Sequence, residues 1–288
     1  MLRLAVATRA ETFERLTDPL AERGIEIAHA QTRERTIRAT DPGDEWAGFD
    51  AGFVYPPRVM EGGVADALLD VPWVNDREAV LTSRNKAHVL ASLSRAGVPV
   101  PGTVMVSNPV EEADLVAAFE RFDPPVVVKP NSATRGLGVA TAADLDSFLG
   151  IVDYLDLVHE FPATGDRSFL VQEYVPDARD YRVMLVDGEY VGAVERRLPE
   201  DAVAAGQWKH NVHRGADASG VDLPAPLRDL AERAAAVLDV PWLGVDLLVT
   251  EDRAVVAETN ARPTVDSETK YEPGVFDDLA ALIRRTAE

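Results

Sequence analysis

Pro124-Pro125-Val126-Val127-Val128-Lys129-Pro130-Asn131-Ser132-Ala133-Thr134-Arg135-Gly136-Leu137-Gly138-Val139 decides how this chain is read. Three consecutive valines, β-branched and apolar, spell a short buried strand. The strand carries Lys129 to its end, where Pro130 has no N–H with which to continue a ladder. A small-residue loop follows, Ser132 to Gly138, in which Gly136 and Gly138 let backbone N–H groups come close to a ligand. A lysine delivered by a strand to a Ser/Thr/Gly loop suits a polyphosphate; the same residues also suit a surface hairpin with a solvated lysine. The rest of the chain must separate the two readings.

At 288 residues the chain has room for a large core and for two or three domains. No run approaches the ~20 apolar residues that span a bilayer. The start, Met1-Leu2-Arg3-Leu4-Ala5-Val6-Ala7, reads as a first strand and lacks the long apolar region and cleavage site of a signal peptide. The absence of cysteine excludes disulfides and thiolate metal sites, and fits a cytoplasmic protein. Net charge is −20, and among 29 basic residues only Lys86, Lys129, Lys209 and Lys270 are lysines. So acidic and lysine-poor a surface points to high salt, where self-repulsion is screened. It argues against nucleic-acid binding, which needs a basic face. Where lysine is avoided, the few that remain are candidates for a task.

Working outward, Leu2–Ala7, Ile25–His29, Ala51–Tyr55 and Val71–Asn75 read as strands, with a helix over Thr12–Arg23 closed by Gly24. This β-α-β opening predicts a small parallel α/β domain over residues 1–83. Arg58, just past a strand end, stands where open α/β sheets bind ligands, or is simply solvated. A helix is expected from Arg84 to Ala96, with Lys86 in its first turn, a place that disfavours a cation unless it faces an anion. Strands Gly102–Val106 and Val126–Lys129, with a helix at Val110–Phe122 between them and another at Asp144–Leu157, fill a central block, 84–166. The third block, 167–288, is strand-rich. Ser168–Tyr174 leads to a hairpin, Tyr181–Val186 and Glu189–Glu195, around Asp187-Gly188. A helix at Leu227–Leu238, a second hairpin, Leu243–Val249 with Ala254–Glu258, and a closing helix, Phe276–Ala287, complete it. Gly206–Val221 reads as a long polar loop.

Four groups join Lys129. Gln172-Glu173-Tyr174-Val175 ends a strand, whose free backbone groups can pair with a purine edge. Asp180 and Arg182 share a strand face, suiting a ribose and an anion, or equally a cross-strand ion pair. Lys209-His210-Asn211 and His213-Arg214-Gly215 make a basic loop in an acidic chain, suited to an anion; the two histidines lack a third partner for zinc. Asp246, alone in the apolar strand Gly244–Leu248, is costly to bury unless paired with an arginine or a cation. Glu258 and Asn260, two apart on the partner strand, face the same way, and this facing hairpin favours Mg²⁺ over a buried salt bridge from Asp246 to an arginine.

This ordered set resembles the ATP-grasp superfamily and, within it, the RimK-type amino-acid ligases. It comprises Lys86, Lys129 before its loop, Gln172–Val175, Asp180-Tyr181-Arg182, Asn211–Gly215, Gly244-Val245-Asp246 and Glu258-Thr259-Asn260. The resemblance covers residues 84–264 closely and the N-terminal region loosely, including Pro57-Arg58. It implies an α/β chain with ATP held between two α+β subdomains behind an N-terminal α/β domain. It places Lys86, Lys129, Ser132, Gly136, Gly138 and Lys209 at the phosphates and Gln172 to Val175 at adenine. By the same resemblance Asp180 meets the ribose, and Asp246, Glu258 and Asn260 hold Mg²⁺ (or Mn²⁺). Arg182, Asn211 and Arg214 would act on the phosphates, the acyl phosphate and the substrate carboxylate. Lys209 replaces the family's usual arginine and loses its planar fork. Arg262-Pro263-Thr264 replaces its usual Ser-Pro-Gly, near the expected acceptor.

The implied activity is an ATP-dependent carboxylate–amine ligase working through an acyl phosphate. The amine would be glutamate or another amino acid. The acceptor would be a metabolite, a peptide or a protein C-terminus, with neither nucleic acid nor membrane as partner and with homo-oligomers possible. A kinase built on the same site and a catalytically silent nucleotide-binding protein are the alternatives.

Overall fold

The computed structural model describes residues 1–7, 11–40, 43–134, 136–158, 165–210, 212, 215–266 and 270–288. Its first third contains β1 (Leu2–Val6), α1 (Glu11–Glu22), β2 (Ile25–His29), a 3-10 turn (Asp44–Trp46), β3 (Ala51–Phe53) and α2 (Val59–Leu69). The strands form a parallel sheet in the order β2-β1-β3. The segment expected as a fourth strand, 71–75, follows β3 through Gly52 N to Pro72 O and Val74 N to Gly52 O, with a single bridge at Trp73. Gly52 is required there, because a Cβ would lie 2.4 Å from the Trp73 ring.

The single helix expected over Arg84–Ala96 is two: α3 (Arg77–Arg84) and α4 (Lys86–Arg95). The Asn85 N–H donates α3's last hydrogen bonds, to Leu81 O and Thr82 O, while its side chain caps α4 by accepting from His88 N. A cap residue inside an apparently continuous apolar pattern breaks it. The junction fixes Lys86 as the first residue of α4 and leaves it buried.

The central sheet uses β4 (Thr103–Ser107), β5 (Val126–Pro130), β6 (Ala140–Ala142) and β7 (Ser168–Glu173) in the order β4-β7-β5-β6. Two helices, α5 (Glu112–Phe119) and α6 (Leu145–Val158), cover it. Val126, Val128, Phe148 and Phe169 build its own core; burying each phenylalanine contributes about 2–3 kcal/mol. The division expected between residues 166 and 167 falls just before β7, yet β7 sits between β4 and β5.

The last sheet joins β8 (Arg179–Val186), β9 (Glu189–Arg197), β10 (Asp217–Val221), β11 (Trp242–Val249) and β12 (Ala254–Asn260) in the order β10-β9-β8-β11-β12. Beside it lie α7 (Glu200–Ala204), α8 (Ala225–Leu238) and α9 (Val275–Ala287). The polar stretch read as all loop therefore supplies an edge strand, β10, paired to β9. One apolar core runs from the first sheet into this one, with the Phe53 ring 6.0 Å from Trp242. Fully buried Asn75 stitches them: its amide donates to Trp242 O and Ala261 O, and its oxygen accepts from Trp242 N. Among the described residues no helix is long and apolar enough to cross a membrane.

Candidate active site

The stretch with which the chain is read does form a hairpin, β5 with β6, but its lysine is not solvated. Lys129 is buried, and its ammonium donates to Gln172 Oε1 at 3.0 Å and reaches Ala257 O at 3.5 Å. Gln172, on the adjacent β7, is itself held by donating to Thr103 Oγ1 at 2.7 Å. Burial pulls Lys129 down to about 8; Glu258 opposes that pull, and Lys86 adds to it. A cation buried in this way, with an amide oxygen and a carbonyl as its hydrogen-bond partners, suits an incoming anion. The Ala257 carbonyl points here because β12 bulges: Asp246 faces Glu258, whereas Leu247 faces Val256, leaving Ala257 as the extra residue. A bulge beside a site re-aims what it carries.

Beyond Pro130 the loop is shaped by its glycines. Gly136 and Gly138 adopt φ of +67° and +72°, where side chains are strained. A Cβ on Gly138 would come 2.7 Å from the Pro130 ring. Ser132 is buried, and its Oγ has no hydrogen-bond partner. Lys86 Nζ donates to Ala133 O at 2.5 Å and lies 3.3 Å from Glu258 Oε1. The far end of the loop is tied across the cleft, since Lys209 donates to Val139 O. Lys209 also sits 5.5 Å over the Trp208 ring, which makes an edge contact with Tyr174 at 6.0 Å. Val175, next to Tyr174, is buried. Glu173 closes the β7 end: Gly102 N and both terminal nitrogens of Arg253 donate to its carboxylate.

Across from the lysines, one row of the five-stranded sheet carries the carboxylates. Asp246 lies directly opposite Arg182 on one side and Glu258 on the other. Arg182 grips Asp246 as a fork, Nε to Oδ1 at 2.7 Å and a terminal nitrogen to Oδ2 at 2.8 Å. Arg196 reaches Asp246 Oδ2 at 3.0 Å and binds Asp180 as well. Burial alone would keep Asp246 protonated, but Arg182 and Arg196 overcome it and hold its carboxyl far below the usual range. Asp180, buried beside the Asp246 charge, is pushed up despite Arg196. The Asn260 amide oxygen accepts from Arg262 N at 2.9 Å. Asn211 and Arg214 lie outside the described residues.

Arg196 is the residue the sequence reading lacks. Counting back from the Asp187-Gly188 turn, Leu185 pairs with Tyr190, and an even ladder would then set Asp180 opposite Glu195. A bulge at Val191 shifts the register, so that Met184 faces Gly192 and Asp180 faces Arg196. The one signal is Gly192, whose φ of +146° a side chain rarely adopts.

Four cations, Lys86, Lys129, Arg182 and Arg196, thus surround three carboxylates, Asp180, Asp246 and Glu258. In a chain of net charge −20, this cleft carries local positive excess. Among the described residues no group of three or more His, Asp or Glu side chains forms a metal cage. Two facing carboxylates and an amide oxygen nevertheless fit Mg²⁺, which takes one or two carboxylates and completes its shell with phosphate oxygens and water.

A glycine-loop hairpin sheet set against a second antiparallel sheet, with cations between them, is the ATP-grasp fold. A RimK domain protein from Sphaerobacter thermophilus superposes with a TM-score of 0.68, covering 99% of each chain at 24% identity. Residues 83–281 match the RimK-like ATP-grasp domain, and the chain belongs to that family. It is similar to a probable alpha-L-glutamate ligase of Pectobacterium carotovorum, 31% identical over 195 residues, which are 67% of this chain and 60% of that protein. A ribosomal protein bS6–L-glutamate ligase of Escherichia fergusonii matches with the same identity and coverage. The match spans 60% of the length of these two relatives.

Proposed function

We propose that this protein is an ATP-dependent carboxylate–amine ligase that joins glutamate, or another amino acid, to a carboxylate acceptor. The observation that carries this reading is the cationic cleft, two buried lysines and two partly buried arginines around three acids in a strongly acidic chain. The acceptor carboxylate attacks the γ-phosphorus of ATP and ADP leaves; the amine then attacks the acyl carbon and phosphate leaves. Lys86 and Lys129 neutralise phosphate charge, with Ser132, Gly136, Gly138 and Lys209 closing over it. Tyr174 and Val175 flank the adenine and Asp180 takes the ribose. Asp246, Glu258 and Asn260 would hold Mg²⁺, or Mn²⁺, which would supply charge stabilisation for phosphoryl transfer. Arg182, Asn211 and Arg214 stabilise the acyl phosphate and orient the carboxylate. No nucleophilic side chain is needed, as befits a chain without cysteine.

The relatives' names support glutamate as the amine, and one of them supports a protein acceptor. We further propose a cytoplasmic protein of a salt-rich cell. The test is ADP release from ATP·Mg²⁺ in high salt, across amino acids with and without candidate carboxylates, with product masses. ADP formed only when both an amine and a carboxylate are present, with a product lighter than its substrates by one water, supports the ligase. ADP with a phosphorylated product and no need for an amine would replace this reading with a kinase.

A further inference from the structure

Helix α4 opens with a cation. Lys86 is its first residue and is buried, although the positive end of the helix dipole and the nearby Lys129 ammonium both repel its charge. The Glu258 carboxylate lies 3.3 Å from it, while Lys129 is held by an amide oxygen and a carbonyl. Two like charges on different elements, α4 and β5, are thus brought into one cleft. Something other than charge must fix their spacing.

Asn131, two residues beyond Lys129, is placed to do this. It is buried, and each of its polar atoms is hydrogen-bonded. Its N–H donates to Ser168 O at 3.1 Å, which fixes it to β7. Its carbonyl accepts from Lys86 N at 3.3 Å, and its Oδ1 from Ala87 N at 2.8 Å. Its Nδ2 donates to Asn85 Oδ1 at 3.0 Å, the same oxygen that caps α4 by accepting from His88 N. The N–H groups of Lys86, Ala87 and His88, which no carbonyl of α4 can reach, are thereby all satisfied. A helix start filled in this way keeps no N–H for an anion; it presents the Lys86 side chain instead. That ammonium donates to Ala133 O, in the loop that Asn131 begins. The junction of α3 and α4 is tied on its other side as well. Ser83 Oγ accepts from Ala261 N at 2.9 Å and lies 3.4 Å from Thr259 Oγ1, so it holds the residues on either side of Asn260.

We propose that Asn131 is a positioning residue for phosphate binding. It locks the start of α4 to the end of β5, so that Lys86 and Lys129 stand as one preformed pair against the strand that carries Glu258 and Asn260. The inference rests on the reading of the two lysines as partners of the phosphates. Asn131 itself has no polar atom to spare for a ligand, and its effect passes through Lys86. Its amide is suited to the place, since one side chain accepts from a helix N–H and donates to that helix's cap. Alanine would leave the Ala87 N–H without its partner, and aspartate would lose the donor. A pair held by neutral hydrogen bonds is in place before the nucleotide arrives, which lowers the ordering that binding requires.

The test is calorimetric binding of adenosine, ADP and ATP, with Mg²⁺, at one ionic strength. Asn131→Ala should weaken ATP about tenfold while adenosine stays within about twofold of wild type. Asn131→Ser, which leaves a hydroxyl in place of the amide, should fall between the two; it carries the test if urea unfolding shows that the alanine variant does not fold. The same substitutions are then made in Lys86→Met. There the further loss of ATP affinity should be less than about threefold, because the group that Asn131 positions has gone. Equal losses for adenosine and ATP, or a loss of ATP affinity undiminished in Lys86→Met, would overturn the inference and leave Asn131 a residue of the fold alone. A wild type that binds ATP no better than adenosine would remove the phosphate role of the lysines, and the inference with it. The ligase reading is judged separately, by amide formation. A wild type that gains affinity with added phosphates, shows the Asn131 effect and yet joins no amine to any carboxylate would keep the positioning role and lose the ligase.

Discussion

Lys129 shows most directly what one residue costs and supplies. Its ammonium is buried and its pKa lies at about 8 instead of the usual 10.4 or so. Below about pH 8 the folded protein therefore carries a buried charge, at a cost of about 3 kcal/mol. Between about pH 8 and 10.4 the unfolded chain binds the extra proton and the folded one does not, so this penalty fades as pH rises. Lys129→Met should leave the melting temperature at pH 7 undiminished, with any gain over wild type shrinking by pH 10, while ATP affinity falls at least tenfold. A clearly lower melting temperature at pH 7 would mean that Gln172 and Glu258 depend on the ammonium more than it costs to bury. In the wild type, phosphates will stabilise the charged form, so ATP affinity should fall above about pH 8 with a slope approaching one proton; a flat titration to pH 9 would contradict the buried-cation account. Asp246 behaves in the opposite sense. Its folded pKa is depressed by Arg182 and Arg196, so its contribution is complete above the ordinary carboxylate range and is lost as pH falls below it. Asp246→Asn should cost about 3 kcal/mol at pH 7 by taking the carboxylate from Arg182 and leaving Arg196 with Asp180 alone, and should abolish stabilisation by ATP·Mg²⁺. Urea unfolding with and without nucleotide reads both effects.

At the scale of elements, the sequence is legible where a local pattern decides and illegible where a single residue shifts a register. The valine strand, the Asp187-Gly188 hairpin and the opposed Asp246 and Glu258 strands stand where alternation and turn chemistry place them. Helix α2 escapes reading because Gly62 and Gly63 interrupt it; Gly62 is there because a Cβ would lie 2.6 Å from the Tyr55 ring. The break at Asn85 and the partner of Asp180 were hidden for related reasons, a cap inside an apolar run and a bulge inside a ladder. What the sequence could not convey about the site is which cation each acid holds, since that depends on long-range register. Gly192 concentrates this point. Its Cβ would come 2.8 Å from Lys270 O and from Tyr271 Cα, at a φ no ordinary side chain favours. Gly192→Ala should destabilise by about 2–3 kcal/mol and reduce turnover more than stability alone explains, because restoring an even ladder would bring Glu195 in place of Arg196 opposite Asp180. A variant that unfolds at the wild-type urea midpoint with full ADP release would show that the bulge is not what sets this pairing.

At the scale of the whole molecule, charge is sorted. The chain carries 49 acids against 29 basic residues, yet its few lysines do not serve to balance the surface. Lys86 and Lys129 are buried in the cleft, Lys209 ties the glycine loop, and Lys270 pairs with Asp266. The outer surface is left to acids and arginines. Its self-repulsion acts through solvent, where the Debye length contracts from about 10 Å at 0.1 M salt to about 3 Å at 1 M; the pairs around buried Asp246 are partly withdrawn from solvent and less screened. Raising KCl from 0.1 to 2 M should therefore raise the melting temperature by several degrees, steeply at first and then levelling as screening is completed. NaCl should follow KCl at equal ionic strength, since the effect belongs to screening and not to the identity of the cation. The same salt should leave the contribution of Asp246, measured as the difference between wild type and Asp246→Asn, nearly unchanged. A melting temperature that falls with salt would refute the high-salt reading of the surface. An Asp246 contribution that collapses with salt would show instead that the cleft is open to solvent, and with it would go the reason for expecting phosphate, and not water, to be what its cations bind.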